Sequence, residues 1–208
     1  SGNYFNIDPD LNRGPADFER RHNFVLSQLF ELPIGRNRKF LGGIGRVADA
    51  FIGGWQINSN TTWQSGFHFN VEYNGGADRD TGHNRPNFDG TADIPGTQDQ
   101  YISRTGFTRP TIGTFGNLPR NFFTGPSYFR TDASLLKKFR FSETMNFEFR
   151  LEVVNLFNTV NLGNPDSNLG NPLPNGSFDN ANFGKITSTA LFGRDPQRNL
   201  QFAFRFAF

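Results

Sequence analysis

An all-β fold, an antiparallel up-and-down β-meander with long loops, is predicted by three features of the sequence. The first is Arg198 to Phe208, RNLQFAFRFAF. Here Leu200, Phe202, Phe204, Phe206 and Phe208 point to one face of an extended strand, and Asn199, Gln201, Ala203, Arg205 and Ala207 to the other. The second is 26 Phe, against 4 Tyr and 2 Trp, carried at a mean hydropathy of only −0.56. The third is a rhythm of short turns and long polar connections between the alternating segments. Five bulky apolar residues on one side of a single strand suit lipid better than a soluble sandwich. Its length matches the about 9–11 residues with which a tilted strand crosses a bilayer.

Composition narrows the function classes. No run of about eighteen apolar residues occurs, so a membrane helix is excluded, whereas a barrel wall needs an apolar residue only at every second position. With no Cys there is neither a disulfide framework nor a thiolate metal site. A net charge of +2, scattered along the chain, gives no reason to expect a nucleic-acid partner. The sequence opens at Ser1 without Met or a signal peptide, so a processed or shortened precursor is expected.

In chain order, residues 1–22 read as a polar connection broken by Pro9, Gly14 and Pro15 and ending in a charged run, Asp17 to His22. The first strand is expected over 23–32, with Phe24, Leu26, Gln28, Phe30 and Leu32 set against Val25, Ser27, Leu29 and Glu31, a blurred alternation. Residues 33–54 hold Pro33, six glycines and the basic trio Arg36, Arg38 and Lys39. Gly43, Gly45 and Ala48 match a dinucleotide-binding glycine pattern on paper, but no βαβ unit follows. A glycine-rich loop with a short helix near Val47 to Ile52 accounts for them.

The next strand, over 55–65, carries Gln56, Asn58, Asn60, Thr62 and Gln64 on a wholly hydrogen-bonding face and Trp55, Ile57, Ser59, Thr61 and Trp63 on the other. Trp55 and Trp63 lie roughly 26 Å apart along an extended chain, near the height of the apolar band between the aromatic girdles of membrane barrels. Two core tryptophans of a sandwich would share that spacing. A shorter strand is expected over 67–73. Residues 74–127 read as a solvated loop. Its Asp78, Asp80, Asp89 and Asp93 lack the spacing of a calcium loop.

A hairpin is expected from strands 129–141 and 145–157 about the turn Ser142-Glu143-Thr144. Pairing Phe141 with Met145 sets Phe139 opposite Phe147 and Leu135 opposite Leu151 on one face, with Lys138 opposite Glu148 on the other. Phe147, Phe149 and Leu151 continue the apolar face. Glu148 and Glu152 resemble an acid/base pair in spacing, but Arg150 between them, with Lys138 near, reads as a charge ladder facing a polar lumen. Residues 158–198 form another long loop, with a possible edge strand at 183–189, before the closing strand 199–208. The three histidines are isolated and no nucleophile–base spacing recurs, so no enzyme and no cofactor is expected. Counted backwards, the connections alternate long and short down to a long one at 33–54, giving about six spanning strands, the last descending into the periplasm.

Several segments together resemble the C-terminal part of the barrel of TonB-dependent outer-membrane receptors, in the subfamily carrying a carboxypeptidase-regulatory-like domain. They are Asp17 to Leu26, Glu31-Leu32-Pro33, Gly53 to Ile57, Gln64 to Phe67, Gly116 to Asn121, Phe149 to Asn158, Phe183 to Thr187 and the terminal Gln201 to Phe208. The resemblance implies energised uptake across the outer membrane, and a terminal Phe208 that serves as the signal for barrel insertion. It also implies a twenty-two-stranded barrel with a plug domain, neither of which is expected within this chain.

About six strands are too few to close a membrane barrel, for which about eight is the lower bound. Their free edges are templates for another chain. Two functions follow as expectations. One is a receptor wall segment in the outer membrane, with Phe202, Phe204, Phe206, Phe208, Phe147, Phe149 and Leu151 toward lipid and Trp55 and Trp63 in the aromatic girdle. Gln56, Asn58, Asn60, Glu148, Arg150, Glu152 and Lys138 then face the lumen, and the partners are the bilayer and the remaining barrel and plug. The other is an extracellular filament or oligomer subunit, whose partners are identical copies joined by β-edge pairing.

Overall fold

The computed structural model describes residues 10–75, 84–142, 144–190 and 197–208. After a 3-10 turn at Asp10–Asn12, the chain forms β1 (Asn23–Glu31), helix α1 (Arg46–Ile52) and β2 (Trp55–Gln64). Four two-residue strands follow: β3 (His68–Phe69), β4 (Asn87–Phe88), β5 (Phe107–Thr108) and β6 (Phe123–Thr124). Three long strands complete the fold: β7 (Tyr128–Arg140), β8 (Asn146–Val154) and β9 (Asn199–Ala207). The described residues fall into two compact units. One holds those of Ser1–His22, Gln64–Tyr128 and Asn161–Phe192, the other those of Asn23–Trp63, Phe129–Val160 and Gly193–Phe208.

The second unit is a five-stranded sheet in the order β1-β2-β7-β8-β9, a meander in which sequence neighbours are spatial neighbours. Its β7–β8 register pairs Phe139 with Phe147, Leu135 with Leu151 and Lys138 with Glu148, the pairing set by a turn in which the Phe141 amide donates to the Met145 carbonyl at 3.0 Å. The β8–β9 register pairs Phe147 with Phe206, Phe149 with Phe204 and Leu151 with Phe202. Strand β8 ends at Val154 rather than at residue 157 because Asn155 takes a left-handed φ of 54° and turns the chain. Its side chain holds the turn from both sides, Nδ2 donating to the Thr159 carbonyl at 3.1 Å and Oδ1 accepting from the Thr159 amide at 3.0 Å.

The strand expected over 67–73 is not a spanning strand. Only His68 and Phe69 are in β3, paired with β6, and Phe69 and Val71 are buried at 6% and 0% exposure. Those side chains fill an interior instead of alternating across a wall. Nor do residues 183–189 form an edge strand; Thr189 makes an isolated bridge to Leu162, while Phe183 and Ile186 are buried.

With five long strands among the described residues instead of six, the sidedness of one connection changes. Glu31, Trp55, Arg140, Asn146 and Ala207 lie at one end of the sheet, and Asn23, Trp63, Phe129, Val154 and Asn199 at the other. The 33–54 connection therefore leaves from the same end as the 142–144 turn, not from the opposite end as the expected alternation had it.

The first unit overturns the expectation of solvated loops. Phe69, Val71, Ile102, Phe107, Leu118, Phe123, Leu169, Phe178 and Phe183 form one hydrophobic core drawn from both long connections. Phe107 packs against Phe88, Phe123 and Phe183 with ring centroids 4.9, 5.8 and 5.8 Å apart. At about 1.5–3 kcal/mol per buried phenylalanine, this cluster is the dominant favourable term for the unit. Gly184 is required at its turn. Its φ is 82°, and a Cβ there would strike the Ile102 carbonyl.

Candidate functional site

The two faces of the sheet are the feature that can act, and each is built by the two-residue alternation of its strands. On the apolar face Phe202, Phe204 and Phe206 of β9 stand beside Leu151, Phe149 and Phe147 of β8. Phe149 and Phe204 are 5.6 Å apart at their centroids, Phe147 and Phe204 6.1 Å, and Trp55 meets Phe149 edge-on at 6.2 Å. Among the described residues nothing covers the outer part of this stripe, since Phe204 is 66% and Phe208 93% exposed. Trp55 and Trp63 sit at opposite ends of β2 on this face, Trp63 exposed and Trp55 half-buried.

The polar face carries the other set. Gln56 Nε2 donates to Glu31 Oε1 at 3.1 Å and Ser27 Oγ to Asn60 Oδ1 at 3.3 Å, while Asn58 is exposed. Arg150 bridges its strand neighbours, Nη2 to Glu148 Oε1 at 3.0 Å and Nη1 to Glu152 Oε1 at 3.4 Å. Lys138 and Arg205 flank Glu148 in register from the two adjoining strands. Glu148 and Glu152 are thus held by a guanidinium between them, a ladder of alternating sign.

Lys137 was not singled out from the sequence, although it interrupts the apolar positions Leu135 and Phe139. It is 3% exposed, and its Nζ donates to the Gly53 carbonyl. The ammonium lies 5.1 Å from the Phe139 ring centroid and 5.9 Å from that of Trp55. Helix α1 closes over this corner. Phe51 contacts Phe139 edge-on at 6.4 Å, and Trp55 Nε1 donates to the Phe51 carbonyl at 3.0 Å.

In the first unit, segments far apart in sequence converge on the charged run that ends at His22. Asp17 Oδ1 accepts from Asn121 Nδ2 at 2.6 Å and from Arg120 Nη2 at 3.1 Å, and these bonds hold its carboxyl below the ordinary carboxylate value. Arg20 lies over the Phe67 ring at 3.8 Å and donates to the Ser65 carbonyl at 3.2 Å. It borders a cavity of about 290 Å³ shared with Tyr128, Asn164, Ser188 and Thr189. Tyr101 donates to the Thr124 carbonyl at 2.9 Å, and burial raises its phenol above the ordinary value.

Of the aspartates weighed for calcium, Asp78 and Asp80 lie outside the described residues, as does His83. The Asp89 carboxylate accepts from the Thr91 amide and hydroxyl at 2.9 and 2.7 Å. Among the described residues no three His, Asp or Glu side chains converge as a metal site. His22 pairs through its backbone with Ser65, and His68 faces Thr124.

A family model described as an outer membrane beta barrel domain matches residues 1–201. No curated protein and no solved structure matches the chain.

Proposed function

The chain belongs to the outer membrane β-barrel domain family, and from that premise we propose that it is the C-terminal wall segment of a TonB-dependent receptor. Its localisation is accordingly the outer membrane. The observation that supports the reading is the partition of one five-stranded sheet into an exposed Phe face and a charged, hydrogen-bonded face, with the bulk of the packed hydrophobic core in the other unit. A sheet in water buries one face; one that separates lipid from a lumen needs neither face covered by its own chain. Five strands lie below the about eight that close a membrane barrel, so the neighbouring wall is the natural partner of β1 and β9. No catalysis is assigned to it.

One observation favours a second reading. Both β1 and β9 are outer strands of the sheet, and such edges pair readily with another copy to build an extracellular filament. Purifying the chain with and without detergent and imaging the particles separates the two. A receptor segment stays dispersed only in micelles; long repeating fibres that remain soluble in plain buffer would replace the receptor reading with the filament.

A further inference from the structure

The 33–54 connection shares its end of the sheet with the 142–144 turn. In outer-membrane barrels that is the periplasmic end, where connections are short. This one spans 22 residues and contains a helix. Such length at that end calls for a role.

Its chemistry is two-sided. Arg36, Arg38, Lys39 and Arg46 stand against a single carboxylate, Asp49. That carboxylate is turned inward, Oδ1 accepting from the Arg36 amide at 2.6 Å. Arg38 pairs with Glu31 at 3.4 Å, both more than half exposed, and Lys39 Nζ lies 5.6 Å from the Phe40 ring centroid. Alongside these cations Phe40, Leu41, Val47, Phe51 and Ile52 are exposed, Val47 at 77% and Phe51 at 68%. Val47 and Phe51, four apart, share a face of α1, and Phe51 reaches Phe139 on the apolar side of the sheet. Through Phe51 the exposed apolar side of the helix thus adjoins the stripe formed by Phe139, Phe147 and Phe206.

We infer that the 33–54 connection is a membrane-interface anchor whose occupant is the anionic phospholipid headgroup layer of the periplasmic leaflet. Val47, Phe51 and Ile52 enter the acyl boundary as an extension of the wall, and Arg36, Arg38, Lys39 and Arg46 lie among the phosphates. The Trp55 bond to the Phe51 carbonyl and the Lys137 bond to the Gly53 carbonyl tie the helix to the sheet. The inference rests on the barrel reading.

The absence of native Cys permits a clean test with single labelled cysteines. The full chain is reconstituted in phosphatidylcholine vesicles with and without phosphatidylglycerol, carrying an environment-sensitive fluorophore at Val47→Cys, Phe204→Cys or Thr144→Cys. Position 47 is expected to be shielded from aqueous iodide and quenched by a shallow lipid spin label, more so with phosphatidylglycerol and less at high salt. Position 144 stays accessible. Each cation removed in R36Q/R38Q/K39Q/R46Q lowers the bound-to-released ratio of the segment by about fivefold. The salt series on the otherwise unaltered labelled chain gives the same answer should that variant fold poorly. Iodide access at 47 with 204 in lipid, or shielding at 47 indifferent to charge and salt, overturns the anchor and leaves the barrel reading standing. Iodide access at both 47 and 204 overturns both.

Discussion

Asn121 donates from Nδ2 to the carboxylate of Asp17 at 2.6 Å while taking a left-handed φ of 52° and lying 1% exposed. Its amide donates to Asn70 Oδ1 at 2.6 Å, and its Nδ2 also reaches the Pro15 carbonyl at 2.8 Å. One buried amide thereby ties the segment before β1 to the turn before β6.

The acid response of the first unit follows from this contact. The Asp17 carboxyl is held below the ordinary carboxylate value, first by Asn121 and then by Arg120. A depressed carboxylate contributes stability that is fully present above its unfolded value and is lost as pH falls through the folded one. The unit should therefore loosen below about pH 4. Asp17→Asn should cost only about 0.5 kcal/mol at neutral pH, since the side chain is largely exposed, and should flatten the acid limb. Amide exchange at residues 118–124 across a pH series checks this; an unchanged acid limb would refute it.

Asn155 ends β8 in a conformation that an L side chain adopts at a cost of about 1–2 kcal/mol. Asn155→Ala should be destabilising through the lost Thr159 bonds, and Asn155→Gly by less because glycine is relieved of the φ cost. Urea unfolding in micelles ranks the two; equal losses would mean that φ is not the determinant.

Phe178 and Phe204 are the same residue in opposite circumstances, 1% and 66% exposed. Phe178→Ala should cost about 3–5 kcal/mol in the first unit. Phe204→Ala should leave the fold in micelles intact and weaken partitioning into vesicles instead. Hydrogen exchange for the former and vesicle flotation for the latter distinguish them.

Lys137→Ala leaves the Gly53 carbonyl without its charged donor, a loss of about 1–3 kcal/mol. Amide exchange at Ile52 and Gly53 should rise, while exchange at the β8–β9 pairs stays as it is. No change at residues 52 and 53 would show that the ammonium does not hold the helix.

The sheet was legible because each strand residue meets one of two contrasting environments, so Phe147, Phe149 and Leu151 alternate visibly with Glu148, Arg150 and Glu152. Blurring in β1 has the same origin: Leu29 and Val25, on the polar side of an outer strand, are exposed at 71% and 54%. The core of the first unit was not legible. Phe69, Phe107, Phe123, Phe178 and Phe183 come from two-residue strands and turns, and each arrives from a different direction, so no period links them. Lys137 was hidden for another reason, since only the folded corner reveals that a carbonyl waits for its ammonium.

If the polar face lines a lumen, as proposed, the alternating ladder of Glu148, Arg150 and Glu152, flanked by Lys138 and Arg205, bears on permeation. Two carboxylates stand there against three cations, so attraction and repulsion alternate from one residue pair to the next and one positive charge is left in surplus. On the proposed receptor reading, this stretch of wall would sort solutes by charge only weakly, through that single surplus cation.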